Sequence, residues 1–401
     1  MIIKPMVRSN ICINAHPKGC AALVKQWVDY VKKQRSQKSG EYSFSKPKNV
    51  LVLGCSTGYG LASRISAAFG YDALTIGVSY EKEGSETKGG TPGWYNNLAF
   101  DKLAKENGLV SETYNLDAFS DEAKKIIIDA AKARNIKFDL IVYSLASPVR
   151  TDPETGVLYK SVLKPTGKSY TGKTVDPFTC KITEITAEPA TEEEIANTVK
   201  VMGGEDWERW IKMLNQAGVL EKGCKTVAYS YIGPELSQAI YRNGSIGMAK
   251  NHLEKTSLKL NEYLKEQVNG ESFVSVNKGL VTRSSAVIPI IPIYLAVLFK
   301  VMKAKGTHEG CIEQMERLFR TKLYNSDNKV PVDSEHRIRI DDWEMDEGVQ
   351  KEVLEIMDKI TEDNIAQLSD LEGYKKDFLN TNGFAVDGVD YEEDVPKMNE
   401  I

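Results

Sequence analysis

This 401-residue sequence predicts an α/β fold, a doubly wound parallel sheet with helices on both faces. Three observations carry that expectation. Residues 50–53 (VLVL) contain no polar side chain, as a strand buried on both faces requires. A glycine turn follows at Gly54, Gly58 and Gly60, after which Leu61, Ala62, Ile65 and Ala68 recur at helical spacing. Further strand-like runs at 74–79 (LTIGVS), 109–116 (LVSETYNL) and 138–145 (FDLIVYSL) alternate with helical patterns, the pace of βαβ units joined by right-handed crossovers.

In chain order, residues 1–47 read as an N-terminal wrap, with a helix over 19–34 and a lysine-rich link. Residues 91–97 (TPGWYNN) read as a turn, a helix starts at Phe100, and 121–134 carries Ala123, Ile126, Ile127 and Ala130 on one side. The rhythm changes over 151–190, rich in Pro, Gly, Thr and Lys, which reads as a β-hairpin insertion. Thr191 and Glu194 form a T-x-x-E capping box that opens the next helix. Over 206–217, Trp207, Trp210, Ile211 and Leu214 turn inward, as core rather than as a ligand cage. A fifth strand at 226–232 (TVAYSYI), a long helix at 245–264 and a sixth strand at 273–277 (FVSVN) follow. The apolar segment 286–303, helices over 309–322 and 346–360, a short strand at 337–340 and an acidic tail complete the chain. No repeat or disordered linker interrupts it. One domain over 1–401 is expected, with a first nucleotide-binding half at 48–150, the insertion at 151–190, a catalytic half at 191–305 and C-terminal helices at 306–401.

Composition narrows the function. Hydrophobic residues make up 41% and charged residues 27%, enough for a sizeable core. A net charge of −4 gives no general attraction to nucleic acid or membrane. The six cysteines are scattered without a C-x-x-C pair or a His/Cys cluster, so free thiols in a reducing compartment and no metal are expected. The N-terminus lacks a secretory h-region, and the longest apolar run (286–299) is interrupted by Pro289 and Pro292 and too short to span a bilayer. A soluble cytoplasmic protein is expected. No surface stripe marks an interface, so a monomer is the first expectation and a dimer the alternative.

The glycine turn points to a dinucleotide. Glycine allows a tight turn and a close approach to a pyrophosphate, and the helix N-terminus that follows offers free N–H groups and a positive dipole end. The spacing is G-x3-G-x-G rather than G-x-G-x-x-G, which resembles the turn of short-chain dehydrogenases/reductases. Glu81 lies 21 residues beyond Gly60, where an acidic side chain accepts the ribose 2′-OH of NAD and repels the 2′-phosphate of NADP. Lys82 and Lys88 stand close enough to blunt that discrimination.

Chemistry belongs after the fifth and sixth strands, at the carboxyl ends of the sheet. Tyr229, Tyr231, Tyr241 and Lys250 occur there. A phenol near its ordinary pKa of about 10 is a weak acid at neutral pH unless a cation stabilises its anion. A Tyr/Lys pair is thus a unit for protonating an enolate or oxyanion formed by hydride addition. Tyr241 and Lys250 are nine residues apart, on opposite sides of a continuous helix at about 100° per residue. Tyr241 must then sit outside the helix that carries Lys250, with Gly244 as the break and Ser245 as N-cap.

The turn at Gly54–Gly60, Tyr80-Glu81, YSLASP at 143–148, KVMGGEDWERW at 200–210, AYSYIGP at 228–234, the Y-x8-K of Tyr241 and Lys250, and VNKGLVTRSSAVIP at 276–289 occur together. With these motifs the chain resembles the FabV-type trans-2-enoyl-CoA reductases over its whole length. The resemblance implies a Rossmann-like fold and NADH-dependent reduction of the 2,3 double bond of a trans-2-enoyl-CoA, short-chain and crotonyl-like, in fatty acid metabolism. It also implies Tyr241 as proton donor, Lys250 as catalytic and NAD-binding residue, and Tyr231 at the thioester carbonyl. Cofactor contacts would come from Gly54, Cys55, Ser56, Thr57, Gly58, Tyr59, Tyr80, Glu81, Asp117, Ala118, Leu145, Ala146, Leu280, Val281 and Thr282. The 286–303 segment would be either a wall of the acyl pocket or plain core. Enoyl-acyl-carrier-protein reduction, carbonyl reduction and non-catalytic NAD sensing are the alternatives.

Overall fold

The structure, a computed structural model, describes residues 2–8, 11–282, 290–395 and 397–401. Seven strands form one parallel sheet: β1 (Asn49–Leu53), β2 (Leu74–Ser79), β3 (Ser111–Asn115), β4 (Phe138–Tyr143), β5 (Leu220–Ser230), β6 (Glu271–Val276) and β7 (Arg337–Arg339). Their order is β7-β6-β5-β4-β1-β2-β3, so the strand sequence reverses between β1 and β4. A crevice opens at the carboxyl ends of such a pair.

The helices follow in chain order as α1 (Pro17–Gln37), α2 (Gly58–Ile65), α3 (Pro92–Glu106), α4 (Asp121–Ala133), α5 (Glu192–Met202), α6 (Glu205–Gln216) and α7 (Ser245–Val268). After them come α8 (Ile291–Lys305), α9 (Cys311–Arg317), α10 (Glu347–Met357) and α11 (Leu371–Asn380). Both faces of the sheet are covered, which explains the polar-free run of β1. Val50 and Val52 pack with Val24, Val28, Leu61, Ile65, Phe100 and Met315, from α1, α2, α3 and α9. Leu51 and Leu53 face Ile127, Trp207, Trp210, Leu214, Leu253 and Leu260, from α4, α6 and α7. Arg64 is pinned beneath the sheet's edge, donating to Thr113, Ser111 and the Glu112 carbonyl at 2.7–2.8 Å and lying 4.2 Å from the Phe100 ring.

Several boundaries differ from expectation. Residues 91–97 open α3 rather than forming a turn, because Pro92 occupies the first helical turn, where a missing N–H costs nothing. The Tyr95 hydroxyl in that turn donates to the Met398 carbonyl at 2.6 Å. Strand β5 begins at Leu220, with a register shift before Lys225 around Gly223 (φ +79°), and the exposed Glu221, Lys222 and Gly223 between buried Leu220 and Cys224 leave no apolar alternation there. The insertion holds two hairpins, Val149–Thr151 with Leu158–Lys160 and Tyr170–Val175 with Ile182–Ala187. The capping box of α5 forms as read, with Thr191 Oγ1 accepting from the Glu194 N–H at 3.1 Å and Glu194 Oε2 from the Thr191 N–H at 2.9 Å. Of the 286–303 segment, 286–289 lie outside the described residues, and the rest enters α8, buried on all sides from Ile291 to Phe299. Among the described residues no helix is long and apolar enough to cross a membrane.

One buried ion pair ties α4 to α6. Lys124 Nζ donates to Asp206 Oδ1 at 2.8 Å with both side chains at most 1% exposed, and also to the Ala118 carbonyl at 3.0 Å. Removing one partner strands the other charge in the core. Asp206→Ala should therefore cost about 3–5 kcal/mol in urea unfolding, and Lys124→Met/Asp206→Leu should recover most of it. A single-variant loss below about 1 kcal/mol would show that water reaches the pair.

Candidate active site

The site starts from backbone packed on backbone. Gly54 adopts φ +86°, and a Cβ there would lie 2.3 Å from the Ser144 carbonyl oxygen. A Cβ on Gly60 would lie 1.9 Å from the Gly54 carbonyl oxygen. Only glycine lets the start of α2 press against the ends of β1 and β4 in this way. Thr57 N-caps α2 without a side-chain hydrogen bond, and the first turn holds no acidic residue. That helix N-terminus suits a pyrophosphate in both space and charge.

Around it the structure gathers most of the anticipated residues. Leu145, just past β4, brings Cδ2 within 3.3 Å of a Gly54 Cβ position, and Thr282, past β6, brings Cγ2 within 3.8 Å of that of Gly58. Leu280 and Val281 are buried beside it. Tyr59 Oη donates to the Lys278 carbonyl at 2.5 Å, tying α2 to the loop after β6. Cys55 is fully buried behind the turn, its Sγ facing Asn97 and Arg64. Ala146 is exposed at the rim.

At the end of β2, the Glu81 carboxylate accepts from Ser56 Oγ and Thr91 Oγ1, each at 2.5 Å. Its backbone N–H donates to Asn115 Oδ1 at 2.7 Å, which locks β2 to β3. Glu81 thus belongs to the glycine turn, not to open solvent. Tyr80 is 78% exposed. Asp117 and Ala118 follow β3, and the Ala118 carbonyl accepts from Trp210 Nε1 at 2.9 Å. These two lie on the far flank of the crevice from Tyr241.

The phenols lie beyond β5. Tyr231 and Tyr241 pack edge to face, with ring centroids 5.2 Å apart. Tyr241 lies before α7, as the spacing demands, but the N-cap is Gly244 rather than Ser245. The Ser245 hydroxyl is engaged elsewhere, donating to the Val162 carbonyl and accepting from the Lys164 N–H. The Tyr241 carbonyl accepts from the Gly247 N–H at 3.0 Å, and a Cβ on Gly247 would collide with the Arg242 carbonyl at 1.8 Å. Tyr241 also packs against the apolar cluster of α8, Leu280 and Val281.

Burial alone pushes the Tyr241 phenol up to about 12. Lys250 instead donates to the Tyr229 carbonyl at 2.9 Å, and burial lowers its ammonium to about 8, against a smaller opposing pull from Glu254. The expected lowering of the phenol by the lysine is absent from this geometry. Sequence reasoning also missed Glu344, Tyr294 and the charge of Lys278, which form a buried polar cluster behind Tyr231. Glu344 bonds the Gly279 N–H across 65 positions, a separation at which no local pattern signals a partner.

Comparison with known proteins decides the family. Residues 88–324 match the family described as "Trans-2-enoyl-CoA reductase catalytic region", and 2–86 match "NAD(P)H binding domain of trans-2-enoyl-CoA reductase". The trans-2-enoyl-CoA reductase (NADH) of Treponema denticola is 64% identical over 401 residues, covering 100% of both chains. The chain belongs to the trans-2-enoyl-CoA reductase family. The crystal structure of the Treponema denticola trans-2-enoyl-CoA reductase in complex with NAD superposes with a TM-score of 0.97 over 100% of both chains, at 64% identity. An enoyl-acyl-carrier-protein reductase (NADH) of Cytophaga hutchinsonii is 52% identical over 395 residues, 98% of each chain.

Residues 332–395 match a third description, "Enoyl reductase FAD binding domain". The residues present do not fit a flavin dinucleotide. The N-termini of α10 and α11 are already capped by the carboxylates of Asp346 and Asp370, which accept from the Val349 and Gly373 N–H groups and would repel a pyrophosphate. The apolar sides of these helices (Val349, Val353, Leu371, Tyr374, Phe378) are buried against α8.

The lowered Lys250 gives a signed expectation. Dinucleotide affinity that depends on its ammonium is intact below about pH 8 and weakens as pH rises through that value. NADH fluorescence titrations should show this slope in the native enzyme and none in Lys250→Met. An equal slope in both would detach Lys250 from the cofactor.

Proposed function

We propose that this protein is an NADH-dependent trans-2-enoyl-CoA reductase, an oxidoreductase that saturates the 2,3 double bond of a short, crotonyl-like thioester in fatty acid metabolism. The observation that carries the reading is the packing of Tyr231 against Tyr241 at the end of β5, with Lys250 anchored on the same strand's Tyr229 carbonyl. We read 1–401 as one enoyl reductase domain, because the sheet draws β1 and β2 from 2–86, β3 to β6 from 88–324 and β7 from 332–395.

Bound NADH supplies the hydride. The α2 N-terminus and the Gly54–Gly60 turn hold the pyrophosphate, with Cys55, Ser56, Thr57, Gly58 and Tyr59 as the turn itself. Glu81 accepts a ribose hydroxyl, and Tyr80, Asp117, Ala118, Leu145, Ala146, Leu280, Val281 and Thr282 line the remaining contact. Lys250 binds the nicotinamide ribose. When C3 of the enoyl group takes the hydride, negative charge moves to the thioester oxygen, where Tyr231 donates a hydrogen bond. Tyr241, whose proton is held tightly by burial, delivers it to C2 of the enolate. The α8 cluster that packs on Tyr241 excludes water and forms a wall for the acyl chain. The names of relatives support either coenzyme A or acyl-carrier protein as the carrier, and the first relative favours coenzyme A.

The reading is tested by following NADH absorbance with crotonyl-CoA and then acetoacetyl-CoA. Turnover with the first is expected. Turnover with the ketone alone would make the protein a carbonyl reductase, and NADH binding without turnover of either would make it a sensor.

Tyr241→Phe should lower kcat by about 10²–10⁴ while NADH affinity stays within about twofold, since its hydroxyl acts on substrate. A wild-type rate would remove Tyr241 from the chemistry. Glu81→Ala removes the carboxylate that repels a 2′-phosphate and should raise the kcat/KM ratio of NADPH to NADH. An unaltered ratio would reduce Glu81 to a clamp on Ser56 and Thr91.

A further inference from the structure

Glu344 is fully buried behind Tyr231, and every atom of its carboxyl is engaged. Oε1 accepts from Tyr231 Oη at 3.1 Å and from Tyr294 Oη at 2.7 Å, and Oε2 accepts from the Gly279 N–H at 2.6 Å. Gln350 Nε2 donates to Tyr294 Oη at 3.2 Å, so the single proton of Tyr294 is committed to Glu344. The fit is close: a Cβ on Gly279 would lie 3.2 Å from Tyr231 Oη and 3.4 Å from Glu344 Oε1.

A phenol also has one proton to give. While Glu344 is a carboxylate, acceptor only, the Tyr231 proton points inward to it. Tyr231 then presents only lone pairs to a substrate. Once the carboxyl is protonated on Oε1, it donates to Tyr231 Oη, still accepts from Tyr294 and Gly279, and turns the Tyr231 proton outward. Both arrangements keep all three hydrogen bonds of the carboxyl, and the second leaves the Tyr231 proton for a substrate oxygen.

We propose that Glu344 is a positioning residue for the reduction: the proton across the Tyr231–Glu344 contact decides whether Tyr231 donates inward or to the thioester carbonyl. The inference rests on the reading of Tyr231 as the carbonyl donor. Glu344 takes up or releases one solvent proton at Oε1 and forms no bond to substrate; the hydrogen bond to Tyr231 Oη reverses, and those from Tyr294 and Gly279 keep their direction.

The groups that face it set the sign. Burial raises the Glu344 carboxyl above its ordinary range, and Asp341, itself paired with Arg339 at 2.7 Å, adds to the rise. The buried Lys278 ammonium, the Tyr294 hydroxyl and the Gly279 N–H oppose it. Tyr231, Tyr294 and Tyr59 keep their protons, since burial raises each well above 10. The protonated carboxyl is present below its folded value and lost as pH rises through it, so the outward donor is lost on the alkaline side. Lys250 and Lys278, both lowered to about 8, contribute a separate alkaline component.

The test is kcat/KM for crotonyl-CoA against pH in the native enzyme and in Glu344→Gln, Glu344→Ala, Tyr294→Phe and Tyr231→Phe, with NADH affinity measured alongside. A glutamine amide keeps a donor toward Tyr231 and an acceptor toward Gly279 at every pH. Glu344→Ala should lose about tenfold or more in kcat at unchanged NADH affinity, and Glu344→Gln should rescue much of that loss while removing one alkaline component. Tyr294→Phe withdraws a donor from the carboxylate and should move that component to higher pH. Superimposable profiles for the native enzyme and Glu344→Gln, or an unmoved component in Tyr294→Phe, would overturn the role of Glu344 while leaving that of Tyr231 standing. Native kcat/KM in Tyr231→Phe would instead overturn the carbonyl-donor reading, and the proposal with it.

Discussion

The close approach of three backbone segments governs what this crevice can hold. The carbonyl of Gly54 lies against the α-carbon of Gly60, and the carbonyl of Ser144 lies against Gly54, at distances that a methyl group at either glycine would violate. That contact fixes the N-terminus of α2 between the ends of β1 and β4, where the strand order reverses. Its neighbours are positioned from it: the Glu81 carboxylate clamped by Ser56 on one side, and the loop after β6, tied down through Tyr59 and the Lys278 carbonyl, on the other. The two buried faces of β1 hold the turn in place from beneath, so the rigidity of the site is a consequence of core packing.

The reacting side depends on burial instead. Desolvation holds the protons on Tyr231 and Tyr241, and the same desolvation lowers the Lys250 ammonium to about 8. A low-dielectric pocket with its hydroxyls already oriented stabilises charge that develops on a substrate oxygen more than water does. Lys250 is held by the Tyr229 carbonyl, which separates its charge from the Tyr241 phenol. The acidity of the phenol is therefore set by the burial of the pocket and not by the lysine.

Much of the sheet was legible because its signals are local. The polar-free β1, the glycine turn and the strand–helix alternation identified the topology, and the Tyr241–Lys250 spacing correctly required a break before α7. Local signals also misled. TPGW looks like a turn because Pro and Gly dominate it, yet the buried Tyr95 makes it the first turn of α3. Ser245 looked like a cap until Val162 and Lys164 took its hydroxyl. In the first half of β5 three exposed residues, Glu221, Lys222 and Gly223, stand between buried Leu220 and Cys224 and leave no alternation to detect. Glu344 was invisible for a different reason: an acidic residue in a polar stretch reads as surface, and only the folded chain brings it to Tyr231 and Gly279.

The most direct measurement is the position of the two incoming hydrogens. With crotonyl-CoA and NADH in deuterium oxide, delivery of hydride to C3 and of a solvent-exchanged phenolic proton to C2 predicts butyryl-CoA carrying one deuterium, at C2. Deuterium at C3, or a product reduced at the carbonyl with its double bond intact, would contradict the chemistry assigned to this crevice.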